Sequence, residues 1–319
     1  MLTSFRRRTV VRTAAATLAI GLASTAIGAI PTATPVASAA PSGAASLGIS
    51  AANARDVGGY ATRTGAIVAT GVVYRSNALN TVTDLDKQKL TRLGITHIID
   101  VRSPNEAAAN PDNLPPARYT PRPIWNPDDD FYVKVNRIIG AGPVGQREAL
   151  GSGRAAQMMR DYYRWMVTDP GARHQIGTTL RDIATATTPL LYHCTSGKDR
   201  TGLISAVLLT ALGVPEPLVY RDYLASNERL AAGNTAQMAA LVDHGLVTDP
   251  SLFAPILGVQ RDFLAASFDQ IRRSYGSFGR YLTRGLGLDA STMKALSATM
   301  LRRGAAPTPS FPLGTGSAN

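Results

Sequence analysis

Two rhythms of apolar residues run through this 319-residue chain. Pro189-Leu190-Leu191-Tyr192 is a short continuous run that suits a buried strand. Leu203, Ile204, Val207, Leu208, Ala211 and Leu212 follow at spacings of one, three and four, as on one helix face. Ile95-Thr96-His97-Ile98-Ile99-Asp100-Val101-Arg102 is a second strand, β-branched and apolar. Before it, a helix is predicted to start at Thr83-Asp84-Leu85-Asp86 with a cap and early acids, to turn Leu85, Leu90 and Leu93 inward, and to end at Gly94. Residues 66–74, with Gly71, read as a hairpin.

The middle of the chain alternates helix and strand. A helix from Ala155 carries Met158, Met159, Tyr162, Tyr163, Trp165 and Met166 as core packing and is closed by Asp169-Pro170-Gly171. Residues 175–184 form the next helix, with Ile176, Leu180 and Ile183 inward, leading into the strand before Cys194. This order predicts an α/β fold, a mostly parallel central sheet flanked by helices. Seven prolines (Pro104, Pro111, Pro115, Pro116, Pro121, Pro123 and Pro127) rule out a long helix over 104–130, which reads as loop. Gly140-Ala141-Gly142-Pro143-Val144-Gly145 reads as a mobile flap. After a helix over 216–232, residues 235–258 give amphipathic pieces around Met238, Leu241, Leu246, Leu252, Phe253, Ile256 and Leu257. The stretch 216–258 is expected to form a helical lid or, equally, plain core. Residues 304–319, rich in Pro, Gly, Ser and Thr, are expected to be a disordered tail after a domain over 40–303.

Composition changes the picture at the N-terminus. Arg6, Arg7, Arg8 and Arg12, an Ala-rich apolar stretch and Ala37-Ser38-Ala39 make residues 1–39 an expected cleavable export signal, of the Sec or the twin-arginine kind. The chain is thus expected to be secreted or extracytoplasmic. Losing four arginines and no acid lowers the net charge from +11 to +7. A basic balance favours anionic partners: phosphorylated proteins, acidic lipid head groups or envelope polymers. No dense Lys/Arg run interleaved with aromatics follows the signal, which argues against nucleic acid. The single cysteine excludes an internal disulfide and a Cys-rich zinc site, so an exported thiol is either buried and inert or reactive and needed.

That cysteine lies in His193-Cys194-Thr195-Ser196-Gly197-Lys198-Asp199-Arg200-Thr201-Gly202, between the apolar strand and the helix N-terminus. Such a terminus offers free N–H groups and positive dipole, so Thr195, Ser196 and Gly197 can wrap a tetrahedral oxyanion. Cys194 is placed as a nucleophile favoured as thiolate by that dipole and nearby cations, and Arg200 can fork onto two phosphoryl oxygens. Thr201 is placed to take a proton or bond the thiolate, and Gly202 lets the helix pack beneath the loop.

His-Cys-x5-Arg-Thr-Gly resembles the signature of the cysteine-dependent protein tyrosine phosphatases, and Gly197-Lys198-Asp199-Arg200-Thr201-Gly202 resembles their bacterial branch. The likeness extends from about 51 to 303. It includes Asn53-Ala54-Arg55-Asp56-Val57-Gly58-Gly59-Tyr60, Tyr74-Arg75-Ser76, Asp100-Val101-Arg102-Ser103 with Glu106, and Tyr220 to Asn227. The resemblance implies a phosphatase-like fold, hydrolysis of phosphomonoesters through a phosphocysteine, no metal or other cofactor, and Asp199 as general acid. It also implies a Lys198 shared with phosphoinositide-directed relatives, favouring phosphotyrosine or doubly charged head groups. Asp100 is the rival acid or, preferably, a brace orienting Arg200. Arg102 is expected beside the loop, and Arg75 is expected to line the site from its strand end. Arg55 and Asp56 are expected to pair with each other, and His97 to be structural. Asp128-Asp129-Asp130 reads as a solvated acidic loop rather than a metal cluster. Two other classes remain: a rhodanese-like sulfurtransferase, which has no need of Arg200-Thr201-Gly202, and an inactive anion-binding module, which has no need of Cys194. The substrate class and the oligomeric state are not legible.

Overall fold

The computed structural model describes residues 45–303; the expected export signal and C-terminal tail lie outside the described residues. The strands are β1 (Arg55–Asp56), β2 (Ile67–Val68), β3 (Val73–Ser76), β4 (His97–Asp100), β5 (Arg118–Pro121), β6 (Leu190–His193) and β7 (Leu301–Arg302). The helices are α1 (Asp84–Arg92), α2 (Pro104–Ala109), α3 (Phe131–Gly140), α4 (Gly142–Leu150), α5 (Arg154–Thr168), α6 (Pro170–Ala184) and α7 (Arg200–Ala211). They continue as α8 (Glu216–Asp243), α9 (Ala254–Leu257), α10 (Arg261–Tyr275), α11 (Phe278–Arg280) and α12 (Ala290–Met300). The five-stranded sheet runs β1-β3-β6-β4-β5, with β6 central and parallel to both neighbours and only β1 antiparallel.

Side-chain alternation explains why the sheet is buried on both faces. Leu190 and Tyr192 of β6, Ile99 of β4 and Val73 of β3 enter a large core built by α5, α6, α7, α8, α10 and α12. Leu191, Ile98 and Tyr74 point the other way, onto a smaller core with Leu90 of α1 and Leu79. All of β6 is buried, so its C-terminal end carries Cys194 out from the middle of the molecule. A third apolar cluster adjoins the large core through Phe131 and Ile256: Val135 and Ile139 of α3, Leu150, Ala155, Leu241 at the far end of α8, Val247 and Phe253. Among the described residues no helix is long and apolar enough to cross a membrane.

Several local expectations give way to longer-range pairing. The hairpin at 66–74 does not form: β2 pairs with β7 (Ile67 opposite Arg302), while β3 enters the main sheet between β1 and β6. Leu85 is 74% exposed, because the capped first turn of α1 projects into solvent and Leu90 carries the burial. Within 104–130 no long helix forms, but the stretch is not all loop: it holds β5 and the short α2, where Pro104 occupies the first position, which needs no amide donor, and Ser103 with Glu106 closes a capping box. The stretch 140–145 is helical rather than a flap, with only Gly142 (φ +69°) breaking α3 from α4. Asp169 caps the start of α6, which begins at Pro170 instead of 175.

Candidate active site

Between β6 and α7 the backbone doubles back through residues 194–199, and Gly197 makes this possible. Its φ is +65°, and a Cβ there would stand 2.2 Å from the Ser76 carbonyl oxygen. The loop carbonyls are held outward. Ala78 N–H donates to Thr195 O (3.0 Å), the Asn53 amide donates to Ser196 O and Gly197 O (3.0 Å each), and Arg75 Nη2 donates to Gly197 O (2.7 Å). A trans peptide sets its N–H opposite its C=O, so the amides of Ser196, Gly197 and Lys198 are turned to the inside of the loop. This is an anion cradle built from Thr195, Ser196, Gly197 and Lys198. Gly202 lies tightly against Tyr223, where a Cβ would come 3.1 Å from the ring.

Arg75 therefore supports the loop from behind instead of lining the site, and it is fully buried. Asp222 of α8 holds it (2.6 Å) together with Arg55 (3.1 Å), so the expected Arg55–Asp56 pair is replaced by a two-arginine clamp. Asp56 instead accepts the amides of Gly58 and Gly71. Burial and the neighbouring Arg75 pull the Arg55 guanidinium down to about 10, against the attraction of Asp222. Burial would raise Asp222, but the two arginines hold it below its usual range.

On the front of the loop Glu106, not Asp100, braces Arg200. Its two oxygens receive Arg200 Nη1 and Nη2 at 2.5 Å each, and it also accepts Thr195 Oγ1 (2.6 Å) and the Ser103 amide (2.8 Å). Burial pushes Glu106 up, yet Arg200 holds it below the usual carboxylate range. Arg200 keeps Nε free of any protein partner. Asp100 alternates with Ile99 and Val101, which enter the large core beside α7, so it lies on the other face of the sheet from Arg200. It receives Arg102 (2.7 Å) and the Tyr119 hydroxyl (2.8 Å), with His193 Nδ1 3.9 Å away. Burial acts to raise Asp100, but His193 and Arg102 hold it down to about 2. Arg102 also bonds Asp112 (2.6 Å), and His193 Nε2 lies 3.3 Å from the same carboxylate. Asp100, Asp112 and His193 come close enough together to hold a cation, but the Arg102 guanidinium already sits between the two carboxylates. Asp128-Asp129-Asp130 is dispersed: Asp130 caps α3 and Asp129 pairs with Lys134. His97 bonds Thr120 and Arg118, a structural role at the far end of β4.

Asp199 receives Lys198 Nζ on Oδ2 (2.6 Å) and the Tyr163 hydroxyl on Oδ1 (2.9 Å). Thr201 is buried, and its hydroxyl has no hydrogen-bond partner, so it does not bond the thiol. Cys194 is only 2% exposed. Above it lies a cavity of about 100 Å³ lined by Phe131, Val135 and Ile139 on one side and by Met238, Leu241, Phe253, Ile256 and Leu257 on the other. A larger cavity of about 450 Å³ opens beside it, sharing Glu106, Phe131 and Arg200.

Reasoning from sequence placed Cys194, Arg200, Lys198 and Asp199 together, and they are together. It missed the roles of Glu106, Asn53, Asp222 and Tyr163. The Ser103-x-x-Glu106 spacing of a capping box was the signal available for Glu106.

A strand-loop-helix anion cradle with a cysteine at its floor and a braced arginine at its rim has the layout expected of a phosphatase site. Comparison with known proteins agrees. The profile of the tyrosine phosphatase family matches residues 49–302, and the chain belongs to that family. It is 30% identical over 271 residues to the "Triple specificity protein phosphatase PtpB" of Mycobacterium tuberculosis, covering 78% of this chain and 96% of that protein. It is 31% identical over 243 residues to a Cupriavidus necator protein named among the tyrosine-protein phosphatases, covering 76% and 84% of the two chains. The protein is a phosphatase acting on phosphorylated substrates, which sets aside the sulfurtransferase reading and the inactive module.

Proposed function

We propose that Cys194 attacks the phosphorus of a phosphorylated protein side chain, forming an S–P bond as the P–O bond to the leaving group breaks. Asp199 gives its proton to the departing oxygen. Water then attacks the phosphocysteine, leaves a proton on Asp199, and releases phosphate and the thiolate. Arg200 and the inward amides of Ser196, Gly197 and Lys198 bear the developing charge throughout. The observation that carries this reading is the Arg200–Glu106 fork set over a loop whose carbonyls are pinned outward. No step needs a metal or cofactor.

The third apolar cluster acts in this account as a lid made by α3, α4 and the stretch after residue 235. The space directly above Cys194 is about 100 Å³, below the roughly 300–1,000 Å³ of ordinary ligand sites, so substrate reaches the thiol by way of the adjoining cavity of about 450 Å³ or by movement of the lid. The substrate is phosphotyrosine protein first, with phosphoserine protein and phosphoinositide as further candidates. The words triple specificity in the mycobacterial relative's name support testing more than one substrate class. The basic start at residues 6–12 fits export, and the net charge of +7 left once those four arginines are removed fits peripheral contact with an anionic membrane or envelope. A reporter placed behind residues 1–39 should leave the cytoplasm, and retention inside would refute export.

Phosphate release from a phosphotyrosine peptide, a phosphoserine peptide and a phosphoinositide vesicle tests the whole. Turnover that vanishes in Cys194→Ser is expected, and the relative rates assign the substrate. Release that survives the substitution would overturn the thiolate mechanism.

A further inference from the structure

Asp199 stands at the start of α7, where an aspartate ordinarily turns its side chain onto the helix's first amides, but its carboxylate makes no such bond. Both oxygens are taken from elsewhere: Lys198 on Oδ2 and the Tyr163 hydroxyl on Oδ1. Tyr163 comes from α5, is fully buried, and is fixed by its ring contacts with Tyr223 and Phe263. Its oxygen accepts the Tyr223 hydroxyl at 2.7 Å. The direction of the chain is thereby set. Tyr223 donates to Tyr163, so the one proton of Tyr163 goes to Asp199. Burial and the nearby Asp199 charge push the Tyr163 hydroxyl well above its usual range, so it remains a donor.

We infer that Tyr163 is a positioning residue for the acid–base step, anchoring Oδ1 of Asp199 so that Oδ2 alone carries the transferred proton. This rests on the proposed role of Asp199. With Oδ1 tied, the carboxylate cannot swing about its Cβ–Cγ bond, and its reach to the leaving oxygen is settled before substrate arrives. Oδ2 is the atom under Lys198, whose ammonium can transfer to an arriving phosphoryl dianion and free Oδ2 to take and give its proton. No additional reactant is needed. The cycle moves one proton from Oδ2 to the leaving oxygen and returns one from water.

The test is the dependence on leaving group, because a general acid matters most when the departing oxygen is basic. kcat/KM is measured for phenyl phosphate and for 4-nitrophenyl phosphate with the wild type, Asp199→Asn, Tyr163→Phe and the Tyr163→Phe/Tyr223→Phe pair. Asp199→Asn should lower the phenyl-to-nitrophenyl ratio by about a hundredfold, within the range general acids supply. Tyr163→Phe should lower the same ratio by about tenfold. The double variant leaves no stranded tyrosine donor, so it should melt closer to the wild type while keeping the lowered ratio. A Tyr163→Phe enzyme that loses both rates equally, or neither, while Asp199→Asn discriminates, would make Tyr163 a core residue only and overturn the inference. An unchanged ratio in Asp199→Asn would remove the acid role itself and the inference with it.

Discussion

Glu106 uses both carboxylate oxygens on Arg200 and still receives Thr195 and the Ser103 amide, so one side chain fixes the arginine fork, the loop and a helix start together. Glu106→Gln keeps the size and removes the charge. It should lower kcat/KM for an aryl phosphate by about tenfold to a hundredfold, the scale of a misplaced catalytic group. It should also cost stability, up to the about 3–5 kcal/mol of a broken buried pair. Steady-state kinetics beside a thermal melt checks both. Asp100 makes a separate prediction. Its carboxyl, held near 2 against 3.8 in the unfolded chain, contributes stability that is fully present above pH 4 and is lost as pH falls through 2. The contribution is about 2 kcal/mol. Asp100→Asn should therefore melt lower than the wild type near pH 6, and the gap should close on acidification; a constant gap would contradict this.

The strand-loop-helix unit was legible because its signals are contiguous: an apolar run, small residues, then a helical apolar period across residues 189–212. The short helix α2 was hidden by reading prolines only as helix breakers, whereas Pro104 sits at the one position a helix start tolerates. Gly197 belongs to this scale as well. Gly197→Ala would drive a Cβ to 2.2 Å from Ser76 O on the neighbouring strand, so the loop must open and phosphatase activity should be lost while the far-UV spectrum of the helices persists. The cover over Cys194 gives the next test. Phe253→Ala should loosen the third cluster, by up to about 3–5 kcal/mol, and raise the rate at which iodoacetamide alkylates Cys194 several-fold. An unchanged alkylation rate would mean that the cluster does not gate the thiol.

Across the whole molecule, the pieces that sequence reasoning missed are those joined over long separations. Asp222 meets Arg75 across 147 positions and Asn53 meets Gly197 across 144, so no local pattern announces either contact. Tyr163 shows the same limit: its spacing reports a core residue, which it is, but not that its hydroxyl ends on Asp199. β2 finds its partner in β7 at the C-terminal end of the described chain, which is why a local hairpin was the wrong pairing. Rapid quench of the enzyme with labelled aryl phosphate, followed by peptide mapping, reads the proposed S–P bond itself. Label on the Cys194 peptide, absent in Cys194→Ser and longer-lived in Asp199→Asn, is the expected result. Turnover with no label on that peptide at any quench time would contradict the account.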